Sequence, residues 1–284
     1  MTLTRIVRPG RIAGCVTLIV ALGIASTGCR KPMPTRPAAA TTSATGMTIE
    51  PGAPSVSAEA FARDFLKAVN EGTAPATLLT PTFKKLIAPP VFDADKAVGY
   101  SDHSAESWLK RFQNQTSAAT LGAGYGSGDA IGFVIATPST VTLRVVRTAG
   151  TWGVDWFLVT PTGVDAPLPA ASGEASLTTF AGAAMLHALL AKNDNLVAAK
   201  LSPTLKAAMA PPLGSDQARG YNLGFLHSKL GDLRGNATGF RVTKASGDTV
   251  SAELVSGGTA RAVTLKFVKG DRPWDRLVSE YDVK

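Results

Sequence analysis

The strongest constraint on the fold of this chain is an internal repeat. The segment LTPTFKKLIAPP at residues 79–90 returns as LSPTLKAAMAPP at residues 201–212, with seven of twelve positions identical and an offset of 122. The segment VTLRVV at 141–146 matches VTLKFV at 263–268 at the same offset. Self-similarity at a fixed spacing indicates that one folded unit is present twice. We therefore predict two copies of a unit of about 105 residues, which is close to the usual size of a domain.

The repeated segment has the chemistry of a helix start and stop. Thr80 and Ser202 carry hydroxyls that can accept a hydrogen bond from a free N–H group at a helix N-terminus. Pro81 and Pro203 follow at the first helical position, where a missing N–H costs nothing. The Ala-Pro-Pro sequence then ends the helix, because proline removes a backbone donor and restricts the residue before it. The segment therefore predicts a short helix in each copy.

Two more helices are predicted in each copy. The first precedes the repeated segment, because apolar residues recur there at helical spacing. These residues are Phe61, Phe65, Leu66 and Val69 in the first copy and Met185, Leu186, Leu189 and Leu190 in the second. The other helix is predicted at 104–112, with a shorter counterpart at 225–230.

The remainder of each copy reads as β-strands separated by turn residues. The strands are GDAIGFVIA, STVTLRVV and TWGVDWFLV in the first copy and GFRVTK, TVSAELV, AVTLKFV and PWDRLVSEY in the second. The glycine-rich segment at 122–132 does not have the spacing of a phosphate-binding loop, and we predict a hairpin turn there and at Ser246-Gly247-Asp248. Helices followed by long strands predict an α+β fold, with helices packed on one face of a curved antiparallel sheet.

This order of elements resembles the NTF2-like superfamily, also called cystatin-like α+β rolls. The phrase AFARDFLKAVNEGTAPATLL at 60–79 is similar to the first helix and following loop of that family. The resemblance implies two tandem NTF2-like repeats, at 57–160 and 174–284, with a linker at 161–173. It also implies a cone-shaped cavity in each repeat, which members of the family use for catalysis, binding or dimerisation. A third possibility is that the two repeats pack face to face within one chain, as in the family's dimers, which would leave function in their outer surface.

Residues 1–28 have the pattern of a secretion signal, with three arginines, no acidic residue and an apolar run of about 11 residues. Such a run is shorter than the roughly 20 residues that a permanent transmembrane helix needs. The Gly28-Cys29 junction resembles the lipobox of bacterial lipoproteins, which implies cleavage before Cys29 and attachment of diacylglycerol to its sulfur. Ser26 departs from the usual Leu, Val or Ile at that position. Plain secretion and an uncleaved N-terminal anchor are the alternatives.

A second cysteine also follows a lipobox-like sequence, but it lies too early in the chain. Only eleven residues precede Ile12-Ala13-Gly14-Cys15, and they do not form an apolar core. Residues 29–56 are rich in Pro, Thr, Ser and Ala and cannot bury enough surface to offset the entropy of the chain. We predict that they form a flexible tether from a bacterial membrane, either the outer membrane or the outer face of the inner membrane, to a soluble folded part.

Composition excludes several classes of function. Removal of residues 1–28 takes away three arginines and lowers the formal net charge from +8 to +5. This modest, scattered basicity suits anionic lipid or a cell-wall polymer, and it does not predict nucleic-acid binding. No cysteine follows Cys29, so a disulfide or a thiolate nucleophile cannot form in the exported part. Three histidines at unmatched positions predict no metal site, and no motif predicts a cofactor.

Three tryptophans are candidates for a ligand pocket. Trp152 and Trp156 are four residues apart on one predicted strand, so both are expected on the same face, with Asp155 on the opposite face. Trp274 lies at the Trp152 position of the second copy. Paired indoles could line a pocket or stack on sugar rings, and the alternative is that they fill the core between the helices and the sheet. Trp108 on the third helix is predicted to be in the core.

The charged and histidine residues give weaker candidates. Asp102 and His103 are adjacent in a predicted loop, where a working dyad is uncommon, and they remain pocket candidates. His187 is predicted to be a buried or half-buried structural imidazole, and His227 has no recognisable partner. Arg144 and Lys266 occupy equivalent strand positions, which predicts a solvated outer face, with an acidic-ligand site as the minority interpretation.

These observations predict a non-catalytic envelope lipoprotein that binds a protein, a glycan or a small ligand. The alternative is an NTF2-like enzyme of the isomerase or dehydratase type, with Asp102 or Asp155 as the general base in one cavity. The two can be separated by the interior of the fold. An enclosed polar cavity with an ionisable group at its base would favour the enzyme, whereas cones filled by Trp, Phe and Leu would favour binding.

Overall fold

The computed structural model describes residues 57–93, 96–116, 121–136, 139–161 and 163–284. The signal sequence, Cys29 and the tether therefore lie outside the described residues. The helices are α1 (Ala58–Glu71), α2 (Pro81–Ile87), α3 (Asp102–Lys110), α4 (Gly173–Leu190), α5 (Asp194–Ala198), α6 (Pro203–Met209) and α7 (Leu223–Arg234), with 3-10 helices at Ala76–Leu78 and Gly214–Arg219. The strands are β1 (Pro90–Asp93), β2 (Lys96–Tyr100), β3 (Gly124–Ser127), β4 (Ala130–Ile135), β5 (Thr140–Thr148), β6 (Thr151–Thr160), β7 (Gly239–Ser246), β8 (Thr249–Ser256), β9 (Thr259–Lys269) and β10 (Arg276–Val283). The fold is α+β, as predicted.

The repeated sequence segment forms α2 and α6, and both helices start as predicted. Thr80 Oγ1 accepts a hydrogen bond from the N–H of Phe83, and Ser202 Oγ accepts one from the N–H of Leu205. Both helices have proline at their N-terminus. Each cap residue also ties its helix to a strand, because the N–H of Thr80 donates to Val154 O and the N–H of Ser202 donates to Val278 O. The segment thus fixes a short helix against the last strand of each half.

The strands form two separate four-stranded antiparallel sheets and one hairpin. The first sheet has the order β3-β4-β5-β6, the second has the order β10-β9-β8-β7, and β1 pairs with β2. The predicted hairpin turns are present, with Gly128 and Gly247 at positive φ angles. Strands β3, β1 and β2 were not among the predicted strands. Their sequences are short, and the two strands of the β1–β2 hairpin are exposed almost throughout.

A β-bulge occurs at a corresponding place in both sheets. In the first sheet Arg144 pairs with Trp156 and Val145 pairs with Val154, which leaves Asp155 as the extra residue. In the second sheet Lys266 pairs with Glu280 and Phe267 pairs with Val278, which leaves Ser279 as the extra residue. Because a bulge adds one residue to a strand, side chains beyond it point to the opposite face from the one that regular alternation would give.

Helix α4 lies between the two sheets. It contacts β3, β4 and β5 of the first sheet and β7, β8 and β10 of the second. Thirteen of its 18 residues are buried, on every side of the helix. Helix α1 packs on the other face of the first sheet, where the Phe65 and Phe157 rings meet edge to face at 5.2 Å. The first sheet is therefore covered on both faces, by a helix from each half of the chain.

This packing corrects the expected face-to-face arrangement of the two halves. A helix of the second half covers the sheet of the first half, so the contact is head to tail and uses different surfaces on the two sides. The second sheet keeps one face in solvent, and its strands β7 and β8 alternate between buried and more exposed residues. The predicted linker also packs on the fold. Val164 forms a parallel bridge with Phe240, which covers the edge of β7.

A close approach between α4 and the first sheet provides a test of this packing. A Cβ atom added at Gly132 would lie 2.2 Å from Phe180 Cδ2, which is far inside the contact distance of two carbon atoms. We expect Gly132→Ala to lower the free energy of unfolding by about 1–3 kcal/mol, because α4 and β4 must move apart. Urea denaturation followed by circular dichroism measures this change.

Gly231 on α7 provides the matched control. A Cβ atom there meets no other atom within 4 Å, so Gly231→Ala adds only helix propensity. We expect this substitution to raise the free energy of unfolding by about 0.5–1 kcal/mol. Opposite signs for the two glycine substitutions support the close packing of α4, and equal effects would contradict it.

Candidate functional site

The candidate tryptophans do not share one pocket. Because of the bulge at Asp155, Trp156 lies opposite Arg144 while Trp152 lies opposite Arg147, three positions away on β5. Residues an odd number apart on a regular strand point to opposite faces, so the prediction that the two indoles share a face is wrong. Trp156 is buried with 1% exposure, and Trp152 packs partly buried against the core.

Trp274 is not the structural counterpart of Trp152. It lies in the turn between β9 and β10, and β10 begins only at Arg276. Leu79 bridges to Val154 in the first half, and Leu201 bridges to Val278 in the second. Val154 and Val278 are therefore structural counterparts, 124 residues apart, whereas the sequence match of Trp152 with Trp274 used an offset of 122. The Nε1 atom of Trp274 is buried and has no hydrogen-bond partner among the described residues. The guanidinium carbon of Arg272 lies 5.5 Å from the ring centre of Trp274.

Asp102 and His103 lie on the surface and not in a cavity. Asp102 is the first residue of α3, where its Oδ1 accepts a hydrogen bond from Lys84 Nζ at 2.7 Å. Both side chains are exposed. His227 has a partner that sequence reasoning missed, since its Nδ1 lies 2.6 Å from Asp194 Oδ2. None of these residues is placed to act on a substrate held inside the fold.

His187 is fully buried, as predicted, and it joins α4 to the first sheet. Its Nδ1 lies 2.9 Å from Thr142 Oγ1, and its Nε2 lies 2.7 Å from Thr160 Oγ1. Thr142 Oγ1 also accepts a hydrogen bond from Trp156 Nε1 at 3.0 Å. This chain fits a neutral ring that accepts at Nδ1 and donates from Nε2. Burial lowers the pKa of His187 from 6.5 to about 3, so the ring is neutral at neutral pH.

Five ionisable residues, three of them buried and two half-buried, form what we call the buried charge network between the two halves. Its members are Arg144, Asp155, Lys200, Arg272 and Asp275. Arg144 donates to Asp155 Oδ2 from Nη2 at 2.5 Å and from Nε at 3.1 Å. Arg272 donates to Asp155 Oδ1 at 2.5 Å and to Asp275 Oδ2 at 2.7 Å. The network therefore fastens β5 and β6 to the turn between β9 and β10.

Arg144 corrects the prediction of a solvated outer face. Its side chain is 4% exposed, because the second half covers this face of the first sheet. Its counterpart Lys266 is 56% exposed and lies 3.9 Å from Glu280. The same strand position thus has opposite environments in the two halves, since nothing among the described residues covers the second sheet as α4 covers the first.

The buried charge network holds its carboxylates in the ionised form. Burial by itself would raise the pKa of Asp155, but the charge of Arg144 and the hydrogen bond from Arg272 outweigh it and lower the pKa below its usual value. Thr80 Oγ1 also donates to Asp155 at 3.0 Å. A carboxylate that already accepts four hydrogen bonds and has a lowered pKa is poorly suited to remove a proton from a substrate.

Lys200 is the least compensated member of the network. Its Nζ lies 4.3 Å from the centre of the Trp156 ring, and its side chain is 4% exposed. Burial, followed by the charge of Arg144, lowers the pKa of Lys200 well below its usual value. The residue stands directly before Leu201 and Ser202, whose pairing with Val278 fixes its position. The described geometry supports a structural role for the network in joining the two halves.

An open groove of about 780 Å³ lies elsewhere between the two halves. We call it the inter-repeat groove. The first half contributes the end of α3 with Trp108 and Phe112, and the end of β6 with Leu158. The second half contributes the segment after α4, at 190–193, and the segment after α7, at 234–238. The groove has the size of a small-molecule site, and aromatic and aliphatic side chains form part of its wall.

Basic side chains surround the inter-repeat groove. Arg111, Lys192 and Arg234 line it, and none of the described lining residues is acidic. Arg234 donates to Leu189 O at 3.4 Å and so helps to satisfy the end of α4. None of the three forms an ion pair with an acidic side chain of the described ranges. The groove is therefore electropositive at neutral pH.

Sequence reasoning did not find this groove. Its residues come from four segments that are far apart in the chain, and none of the segments carries a motif. The one sequence signal is a difference between the two halves after their first helix. Lys192 follows α4 at the position that Gly72 occupies after α1. Among the described residues, no three His, Asp or Glu side chains converge as a metal site. No described helix has the length and apolarity to cross a membrane.

Comparisons with known proteins gave no match. No family model, no curated protein and no solved structure resembles this chain closely enough to be counted as similar.

Proposed function

We propose that this protein is a bacterial envelope lipoprotein with a non-catalytic binding role, built from two tandem NTF2-like repeats. This proposal rests on one observation: the interior of the first half is filled by side chains, whereas the groove between the two halves is open. The region between α1, α3 and the first sheet is filled by aromatic rings, with Trp108 at 5.7 Å from Phe83 and 6.2 Å from Phe157. The inter-repeat groove, by contrast, is open and lined by both halves.

Apolar side chains also fill the interior of the second half, within the described residues 163–284. Met185, Leu186 and Leu189 of α4 are fully buried, and Phe240 of β7 is fully buried as well. A cone filled by apolar side chains favours a binding or structural role over catalysis. The two candidate bases of the enzyme alternative are both engaged, because Asp155 is held in ion pairs and Asp102 is paired with Lys84 at the surface.

Corresponding features in the two halves support the tandem-repeat part of the proposal. The capped helices α2 and α6 pair with the last strand of their own half through Leu79 and Leu201. The bulges next to Arg144 and Lys266 fall in the same register of each sheet. In each half helices are followed by an antiparallel meander, which is the order that the NTF2-like resemblance implies.

Mass spectrometry of the protein extracted from its own membrane tests the proposal. Under denaturing conditions we expect a chain that begins at Cys29 and carries lipid on that residue. Under native conditions we expect a second, non-covalent mass from a ligand that has remained bound. A substitution that fills the groove, Ala237→Trp, is expected to remove the second mass and leave the first.

The two cysteines give a matched control for the anchor. Cys29→Ser is expected to abolish lipid attachment and to release the protein from the membrane fraction, whereas Cys15→Ser is expected to change neither. Retention of the lipid in the Cys29→Ser variant would contradict the anchor. A ligand mass that survives Ala237→Trp would contradict the assignment of binding to the groove.

A further inference from the structure

We propose that the inter-repeat groove binds an acidic single-chain lipid, with its carboxylate or phosphate at Lys192 and Arg111 and its hydrocarbon chain along the apolar wall. This inference rests on the proposed binding function and names the ligand class of that site. The buried charge network takes no part in it, whereas Trp108 belongs both to the aromatic filling of the first half and to the wall of the groove.

The wall of the groove suits a hydrocarbon chain. Leu158 and Val159 of β6 supply apolar surface from the first sheet, and Trp108 and Phe112 extend this surface from α3. The rings of Trp108 and Phe112 meet edge to face at 4.8 Å, which presents a continuous aromatic surface. Leu190 and Ala237 add aliphatic carbon from the second half. Burial of such surface by an alkyl chain is favourable because it removes apolar carbon from water.

The charges of the groove select the head group. Arg111 and Lys192 are exposed, and neither forms an ion pair or a side-chain hydrogen bond with a described residue. Two uncompensated cations beside an apolar wall are complementary to an amphiphile with an anionic head. A zwitterionic or cationic head would gain less, because none of the described residues that line the groove is acidic.

The backbone at Lys192 supports a role for this side chain in binding. Lys192 has a φ of 55°, in the left-handed region that glycine adopts readily. Gly72 occupies the corresponding place after α1, with a φ of 73°. The backbone hydrogen bonds around the two positions also correspond. After Gly72, the N–H of Thr73 donates to Ala68 O, and after Lys192, the N–H of Asn193 donates to Ala188 O. Lysine here is strained where glycine is not, and such backbone strain clusters at functional sites.

Photo-crosslinking with a diazirine-bearing dodecanoate tests the inference on the full chain in its membrane. We expect the probe to label peptides that contain residues 190–193 or 234–238. Unlabelled dodecanoate and dodecyl phosphate are expected to compete, whereas dodecanol and inorganic phosphate are not. Competition by inorganic phosphate would overturn the lipid assignment in favour of a free-anion site, and equal competition by dodecanol would overturn the role of the charges.

Variants separate loss of the site from loss of the fold. Lys192→Gly removes the charge and relieves the strain, so we expect the competing dodecanoate concentration to rise about tenfold while the unfolding midpoint stays the same or increases. Lys229→Gln on α7 removes an exposed lysine outside the groove and is expected to leave competition unchanged. Equal labelling in Lys192→Gly and the parent protein would overturn the proposal.

The two tests fail in different ways. A native mass that disappears with Ala237→Trp, together with no competition by dodecanoate, would leave the binding function in place and overturn the lipid class. If native mass spectrometry detects no bound ligand but the probe labels the groove specifically, the lipid site is supported. The extracted protein has then lost its ligand during extraction.

Discussion

Substitution of Asp155 by alanine is expected to lower the free energy of unfolding by about 3–5 kcal/mol. The Asp155 side chain has no exposed area, and it is bonded to Arg144 and Arg272 at 2.5 Å each. Its removal leaves the Arg144 guanidinium, 4% exposed, with a weaker contact to Asp275 at 3.3 Å. A buried charge that loses its main partner is costly because water cannot replace the lost interaction. Urea denaturation at neutral pH measures the loss.

Asp102 provides the control for an ordinary ion pair. It is also paired with a basic residue, Lys84 at 2.7 Å, but its side chain is 57% exposed. We expect Asp102→Ala to change the free energy of unfolding by less than about 1 kcal/mol, because exposed pairs are screened by water and salt. If Asp155→Ala costs no more than Asp102→Ala, the buried charge network does not hold the two halves together.

The stability of the protein is expected to fall with acid through one identified residue, His187. Its pKa is about 3 in the folded chain, compared with 6.5 when the ring is in water. Between these values the unfolded chain binds a proton that the folded chain does not, so stability decreases as the pH falls below 6.5. The cost is about 1.4 kcal/mol per pH unit, or about 2 kcal/mol at pH 5. Above pH 6.5 the ring is neutral in both states and contributes no pH dependence.

A comparison of variants isolates this contribution from that of the carboxylates. His187→Gln cannot gain the charge, so the difference in unfolding free energy between pH 7 and pH 5 is expected to be about 2 kcal/mol smaller than in the parent protein. His103→Gln, at an exposed position on α3, is the control for replacement of an imidazole outside the core. A parent protein and a His187→Gln variant with parallel pH profiles would show that the buried ring takes up a proton without cost.

The local elements of this protein were predictable because their causes are local. A hydroxyl followed by proline predicted the start of α2 and α6, and both Thr80 and Ser202 cap their helices. Apolar residues at helical spacing predicted α1, where Phe61 and Phe65 are buried. The last three strands of the first sheet and all four of the second lie where alternation and turn residues placed them. Only chain neighbours are needed for these effects.

Other features required the tertiary structure because they depend on groups far apart in the chain. The bulge at Asp155 appears only when β5 and β6 are in register, and it places Trp152 and Trp156 on opposite faces. Arg144 and Lys266 are equivalent in sequence, yet only Arg144 is buried, since α4 and the turn before β10 cover the first sheet.

The candidate site was beyond the reach of the sequence for the same reason. The inter-repeat groove exists because the ends of α3, α4 and α7 meet beside the end of β6. Their residues become neighbours only when the second half packs head to tail on the first. The sequence by itself determined two similar sets of helices and strands, through capping, periodicity and turns. The tertiary structure decided which of their equivalent surfaces are buried, because burial depends on what packs against a surface and not on the residues that form it.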